Sequence, residues 1–334
     1  MKILVTGAFG SVGIHTLKEL IREGHKVRVL ELKTKANKKI YEKFKSDIEI
    51  FWGDITNKDD VAKAVSGQDV VIHLAFVIPP LSEEKLNWAW EINVEGTHNL
   101  LNAMRSLEKK PKIVFASSVS VYGKTQELDP PRVAYEQVKP TDNYSHHKIA
   151  CEQMVKISGL DWTILRIGAV LSISLCQIDP MLFQVPLDNR IELIHSCDAG
   201  IAFAHAALSN EVWGKTLLIG GGTDCQMYQR DFIKEVLETV GIGMLPDKAF
   251  TSNPFYIDWM DTEESQKLLR YQKHTLGDFI KDIKISLGIK RHLAKIVRPI
   301  VRYWLLGKSP YMRQKTLRKD SIGRGARGKI LPST

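Results

Sequence analysis

The first half of the chain alternates short apolar runs with longer stretches in which apolar positions recur every three or four residues. Ile3 to Val5, Val27 to Leu30, Ile48 to Phe51, Val70 to Leu74 and Lys112 to Ser117 are runs of strand length. The fourth is rich in β-branched residues, the composition of a strand buried on both faces of a parallel sheet. After the first run, Ile14, Leu17, Leu20 and Ile21 form one apolar helical stripe, and a long helix is predicted after the fourth run, carrying Asn93 to Thr97. Strands and helices in alternation predict an α/β fold with a doubly wound parallel sheet.

The far end carries a different pattern. Ile289, Leu293, Ile296, Val297, Ile300, Val301 and Trp304 repeat at helical spacing, opposite Arg291, Lys295, Arg298 and Arg302. A basic amphipathic stretch of this kind, with a Tyr303-Trp304 pair, suits an anionic membrane surface along residues 289–306. The same pattern suits docking on the protein's own body or on a dimer partner. Pro299 either kinks the helix or starts its second half.

Composition sharpens both patterns. With 334 residues, 44% of them hydrophobic and 25% charged, the chain is globular in make-up. Its net charge of +9 is concentrated at one end. From Lys281 to Thr334 there are 15 Lys and Arg against 2 acids, a net of +13, which leaves −4 for the first 280 residues. The basicity therefore belongs to the tail and says little about a substrate. Arg313 to Lys329 reads as a flexible basic extension, and with no aromatic platform or reading module beside it no nucleic-acid partner is expected. Cys151, Cys176, Cys197 and Cys225 contain no Cys-x-x-Cys pair, so neither zinc nor a disulfide framework is expected and a reducing cytosol fits. The chain starts directly on a strand pattern without a secretion leader, and Val70 to Ile78 is too short to span a bilayer. The expected location is cytoplasmic, with peripheral attachment to the inner membrane face if the tail binds lipid.

Candidate chemistry follows the strand ends. Thr6, Gly7, Ala8, Phe9, Gly10, Ser11, Val12 and Gly13 join the first strand to the first helix. A glycine-rich turn there offers backbone N–H groups and the positive helix end to a phosphate. Glu31 closes the second strand, where a dinucleotide fold needs a carboxylate for the adenine ribose. It favours NAD, whereas Lys33, Lys35, Lys38 and Lys39 could serve the extra phosphate of NADP. Asp54, followed by Ile55, either meets the adenine amino group or caps the next helix. His73 reads as a core histidine; Leu74, Ala75 and Phe76 follow it, and the small Ala75 lets a cofactor lie close. Asn93 is either a buried hydrogen-bonding residue or the holder of a water. Ser118 ends the fifth strand. Twenty-six residues later come Tyr144 and Lys148, four apart and so on one helical face. A fixed ammonium there would draw the phenol pKa down from about 10.

Taken together, Thr6-Gly7-x-x-Gly10-x-x-Gly13, Glu31, Gly53-Asp54, His73-Leu74-Ala75, Asn93-Val94-x-Gly96-Thr97, Ser117-Ser118-x-x-Val121-Tyr122-Gly123 and Tyr144-x-x-x-Lys148 resemble an extended short-chain dehydrogenase/reductase of the NAD-dependent epimerase/dehydratase family. Looser matches follow: Arg166 after Trp162 to Leu165, His195-x-x-Asp198-Ala199, Leu217 to Gly222, and Asp261 to Leu269. The resemblance covers roughly residues 1 to 285. It implies a Rossmann-type sheet, a small C-terminal substrate-binding lobe and, outside it, the basic amphipathic helical tail. The corresponding divisions are 1–165, 166–285 and 286–334, with part of the sheet continued by later segments.

The resemblance also implies roles. Tyr144 is the general acid or base, Lys148 lowers its pKa and bonds the nicotinamide ribose, and Ser118 holds the substrate oxygen. The expected function is a nucleotide-sugar epimerase or dehydratase using NAD, with NADP as the alternative cofactor. Family analogy adds a homodimer through the Tyr144 helix and the helix after Pro79. One departure stands out: Arg166 is followed by Ile167-Gly168-Ala169-Val170-Leu171-Ser172 where nucleotide-sugar members carry an Asn and a Tyr-Gly-Pro-like turn. With Ala169 to Leu187 mostly apolar, a reductase of an apolar, steroid-like, isoprenoid or lipid-linked alcohol or ketone is the alternative substrate class. A non-catalytic nucleotide-binding subunit is the alternative of another kind, and it would need no Ser118, Tyr144 and Lys148 together.

Overall fold

The computed structural model describes residues 1–171, 180–289, 293 and 295–312. The apolar segment from Ala169 to Leu187 therefore lies partly outside the described residues, as do Arg291 and the Arg313 to Lys329 extension.

Strands β1 (Lys2–Thr6), β2 (Lys26–Glu31), β3 (Ile48–Trp52), β4 (Val70–His73), β5 (Lys112–Ser118) and β6 (Trp162–Ile167) form a parallel sheet. Two short strands, β7 (Ala169–Leu171) and β8 (Arg190–His195), pair in parallel outside it. Strand β9 (Thr216–Ile219) rejoins the main sheet beside β6, and β10 (Gln226–Tyr228) flanks β8. The main order is β3-β2-β1-β4-β5-β6-β9. From β1 the chain winds one way to β2 and β3, and from β4 the other way, so the switch point lies between β1 and β4. There Thr6 stands opposite His73 in register. Open sheets bind ligands outside the carboxyl ends at such a point.

Each sheet face buries its own apolar layer. On one side Leu17 and Leu20 of helix Ser11–Arg22 pack with Ala199, Ala202 and Phe203 of helix Ser196–Leu208. On the other, Val61, Leu100, Met104, Cys151 and Val155 come from helices Lys58–Val65, Gly96–Arg105 and Asn143–Lys156. Burial on both faces explains why β4 is unbroken Val-Val-Ile-His, and why the strands were readable as continuous runs rather than alternations.

The single long helix predicted after β4 is not formed. Lys85 leaves helical geometry (φ −124°, ψ 65°), separating Leu81–Glu84 from Leu86–Trp90. A π-helical turn, Glu91–Glu95, then joins Leu86–Trp90 to Gly96–Arg105. The widened turn brings Asn93 to full burial.

By contact the chain divides into two compact units. The first comprises Met1–Ser172, Arg190–Met227 and Tyr256–Phe279, and the second Ile173–Asn189, Tyr228–Phe255 and Ile280–Thr334. The second has its own core, in which Phe183, Ile233, Leu237, Phe250 and Leu305 are buried. Pro299 stands in the first turn of helix Arg298–Lys308, so it starts the second half of the tail pattern rather than kinking it. Leu305 is fully buried, and the Arg302 guanidinium donates to the carbonyls of Ile242, Gly243 and Met244 at 3.0, 2.8 and 2.7 Å. One face of this helix is thus docked on its own unit. Ile296, Ile300, Tyr303 and Trp304 remain exposed on the rest of its surface.

Candidate active site

The glycine turn is built by close approach. Gly7 has φ +67°, and a Cβ there would lie 2.5 Å from the Ala75 nitrogen; a Cβ on Gly13 would lie 2.4 Å from the Gly7 carbonyl oxygen. Gly7 therefore lets β1 pass against the end of β4, and Gly13 lets the helix seat on the turn. Gly10 is the N-cap residue of helix Ser11–Arg22 with no side-chain cap, and Ser11 and Val12 form the open first turn. Beside the turn lies a cavity of about 490 Å³. Gly7, Gly10, Glu31 and Asp54 line it, as do Ile55, Leu74, Ala75 and Phe76.

Glu31 is oriented toward this cavity by two bonds. Its Oε1 accepts from the Phe9 N–H at 2.9 Å and its Oε2 from Asn37 Nδ2 at 3.2 Å. Partial burial raises its pKa, and the backbone amides oppose that rise. Lys33, Lys35, Lys38 and Lys39 are exposed and outside the cavity lining. Asn37 was the polar residue to find there, and only its place two residues before Lys39 on helix Lys35–Tyr41 could have marked it. Asp54 accepts from the Thr56 N–H and hydroxyl, both at 2.9 Å, while Asn57 caps the next helix. The cap reading of Asp54 is thereby replaced by a turn reading. A carboxylate at the second strand end, a Cβ-free turn and an uncapped helix N-terminus around one cavity fit a dinucleotide.

His73 and Asn93 frame the inner wall. The His73 ring joins Thr6 Oγ1 (2.7 Å) to Thr97 Oγ1 (3.0 Å), tying β1, β4 and the following helix together. Full burial pushes its pKa down to about 3, so it is a neutral core histidine. Asn93 accepts from the Val77 N–H (2.6 Å) and donates to the Val77 carbonyl (3.0 Å), clamping the segment that follows Ala75 and Phe76.

The reacting side chains come from β5 and the helix Asn143–Lys156. That helix starts with a capping box, Asp142 accepting from the Ser145 N–H at 2.8 Å and Ser145 Oγ accepting from the Asp142 N–H at 3.2 Å. Glu83 supplies what the box leaves open, accepting from the Asn143 and Tyr144 amides at 3.1 and 3.0 Å. The Ser118 hydroxyl stands close enough to the Tyr144 phenol to draw its pKa down, and it accepts from the Ser120 hydroxyl at 2.9 Å. The two side chains assigned to proton transfer and substrate binding are thus brought together.

Lys148 sits differently from the spacing argument. Its ammonium donates to the Ala116 carbonyl at 2.6 Å and stands 3.3 Å from the Phe76 ring centroid, 5.6 Å from that of Tyr144. The Phe76 ring meets Tyr144 edge-on at 5.7 Å. Burial pushes the Tyr144 phenol up to about 12, against the pull of Ser118, and pushes Lys148 down to about 7. The ammonium makes a carbonyl bond and a cation–π contact, so its charge is not spent on the phenol.

Arg166 belongs to a separate network. Its guanidinium donates to both Glu152 oxygens at 2.9 and 2.7 Å and to the Tyr122 hydroxyl at 2.8 Å, and Ser117 donates to Glu152 at 2.6 Å. Glu152, one turn beyond Lys148, was legible only as another residue on that face.

Comparison with known proteins gives the chain its family and relatives. Residues 3–177 match the model of the NAD dependent epimerase/dehydratase family. The chain is 36% identical over 124 residues to a UDP-N-acetyl-alpha-D-glucosaminuronate decarboxylase from Bacillus cytotoxicus, covering 37% of this chain and 38% of that protein. It is 33% identical over 173 residues to a UDP-glucose 4-epimerase from Lactobacillus helveticus, covering 50% and 51%. The chain thus spans 38% and 51% of the length of these two relatives. Its fold is like that of a UDP-glucuronic acid 4-epimerase from Bacillus cereus crystallised with UDP-glucuronic acid and NAD, with a TM-score of 0.71 at 22% identity over 86% of this chain and 100% of that one. By the family match over more than half of its length, and by the glycine turn and Tyr144-x-x-x-Lys148 within it, the chain belongs to the NAD dependent epimerase/dehydratase family.

Proposed function

We propose that this protein is an epimerase- or dehydratase-type enzyme acting on a secondary carbinol of a nucleotide sugar. The observation that carries the reading is the placing of the Ser118 hydroxyl beside the Tyr144 phenol, with Lys148 one turn on, close to a cavity that Glu31 lines. Ser118 holds the substrate oxygen and Tyr144 takes or returns its proton. Lys148, poised near neutrality by burial, would bond the nicotinamide ribose. Bound at the glycine turn, NAD would supply the acceptor and donor of a hydride at the same carbon. Glu31 and Asn37 would receive the adenine ribose hydroxyls, and the Gly7–Gly13 turn the phosphates.

Incubation with a panel of nucleotide sugars and, in parallel, apolar alcohols tests this. Isomer exchange of a sugar without net change in cofactor absorbance is expected. Net reduction of the cofactor by apolar alcohols alone would overturn the sugar assignment in favour of a lipid-type dehydrogenase.

Two partners complete the proposal. Exposed Leu86, Trp88 and Trp90, on the helix preceding the π turn, suit a second copy of the chain. Exposed Ile289, Leu293, Ile296, Ile300, Tyr303 and Trp304, within a tail of net charge +13, suit an anionic bilayer. No helix among the described residues is long and apolar enough to cross a membrane, so this attachment would be peripheral. Co-sedimentation with phosphatidylserine vesicles, lost on Ile296→Glu with Ile300→Glu, is expected; equal sedimentation of the variant would remove the lipid reading.

A further inference from the structure

Three metal-ligating side chains meet away from the dinucleotide cavity, within the first unit, and a fourth stands beside one of them. His195 closes β8, Cys197 stands in the first turn of helix Ser196–Leu208, His274 precedes helix Leu276–Leu287, and His15 projects from helix Ser11–Arg22. One ligand atom from each of His195, Cys197 and His274 lies within 4.8 Å of the other two. His15 Nδ1 lies 3.2 Å from Cys197 Sγ. None of the four lines the cavity beside the glycine turn. We propose that His15, His195, Cys197 and His274 form a binding site for a thiophilic divalent cation of the Zn²⁺ type.

The surroundings favour a metal over a plain hydrogen-bonded cluster. Asp198 is fully buried, and its Oδ1 accepts from His274 Nδ1 at 2.5 Å, which turns Nε2 of that ring outward as a lone-pair donor. A carboxylate behind a histidine is the usual support of a zinc ligand. The other carboxylate oxygen accepts from the Lys273 and His274 amides, both at 2.9 Å, so the support is itself held. Gly200 makes the approach: a Cβ there would lie 2.4 Å from the His15 Cβ, so only glycine lets the two helices bring His15 to Cys197.

Three nitrogens and one sulfur make a closed tetrahedral set for Zn²⁺. To close the set, His15 must move in toward the other three, and the His195 and His274 rings, stacked at 4.4 Å, must turn apart. His195 Nδ1 accepts from the Cys197 N–H at 3.2 Å, so this ring must yield that cap to ligate through Nε2. The cation would then fasten the helix that follows the phosphate turn to the Ser196–Leu208 helix and to the His274 loop. The scattered cysteines concealed the site, because its single sulfur is joined by histidines from three separate places in the chain.

Cobalt tests it, since a thiolate ligand gives a near-ultraviolet charge-transfer band. The full-length protein, stripped with a chelator, is expected to bind one Co²⁺ with that band and to release it to Zn²⁺. Cys197→Ser abolishes the band, Cys225→Ser keeps it, and Asp198→Asn weakens affinity roughly 10–100-fold. In the parent chain, Zn²⁺ also protects Cys197 from iodoacetamide, read by peptide mass. Absence of the band in the parent, its persistence in Cys197→Ser, or alkylation of Cys197 at the same rate with and without Zn²⁺ would overturn the site.

Discussion

Lys148 and Glu152 stand one turn apart on the same buried helix face, and their surroundings treat them in opposite ways. Glu152 is closed in by charge and hydrogen bonds: two from Arg166, one from Ser117. Burial would raise its pKa, yet Arg166 holds it below the ordinary carboxylate range. Lys148 has a carbonyl and a ring in place of a carboxylate, and burial lowers it to about 7. The first arrangement fixes a charge state and the second leaves one poised. A complete ion pair locks β5, β6 and the helix in place, so the incomplete site next to it can be held without its own compensation.

Several substitutions would break or sharpen that contrast. Tyr144→Phe is expected to lower turnover by about 10²–10⁴-fold while leaving unfolding free energy and NAD binding close to the parent, compared by kinetics and calorimetric titration. Glu152→Ala strands Arg166 in the core and should cost about 3–5 kcal/mol in a denaturant titration. If it instead lost activity at unchanged stability, the division between the two clusters would fail. Lys148→Met tests the poise through pH. The unfolded chain holds the lysine proton up to about 10.5, the folded chain only to about 7, so stability should rise with pH across that window. Lys148→Met should flatten the rise. Smallest is Ser117→Ala, which removes one hydrogen bond to a charged group and should cost about 1–3 kcal/mol without touching turnover.

The same contrast explains what the sequence disclosed. The sheet was legible because parallel strands buried on both faces are written as continuous apolar runs, and β1 to β5 stand within a residue or so of where those runs lie. The nucleotide side was legible because close backbone approach needs glycine, at Gly7 and Gly13 in particular. What escaped were partners distant in sequence. Glu83 reaches the helix start at Asn143 and Tyr144 across sixty residues, and nothing local marks it as a cap. Arg166 stood out as a landmark near the substrate segment, yet its bonds go to Glu152 and Tyr122. The i,i+4 spacing of Tyr144 and Lys148 put them on one face as expected. It could not foresee that Phe76 would take up the ammonium. The tail's periodicity was real, but it merged two surfaces: Val301 packs on the core that holds Leu305, while Ile300 and Trp304 of the same stripe stay exposed.

The π-helical turn at Glu91–Glu95 carries one more meaning, about insertions and deletions rather than substitutions. Such a turn holds one residue more than the α-helix it interrupts. Removing a single residue there would let the segment close into regular α-helix, at about 100° of rotation per residue. Leu86, Trp88 and Trp90 would swing around the axis relative to Gly96–Arg105, and Asn93 would lose its aim at Val77. A one-residue length change at this spot would therefore re-aim a whole surface of the protein and loosen a wall of its cavity, without altering a single side chain elsewhere.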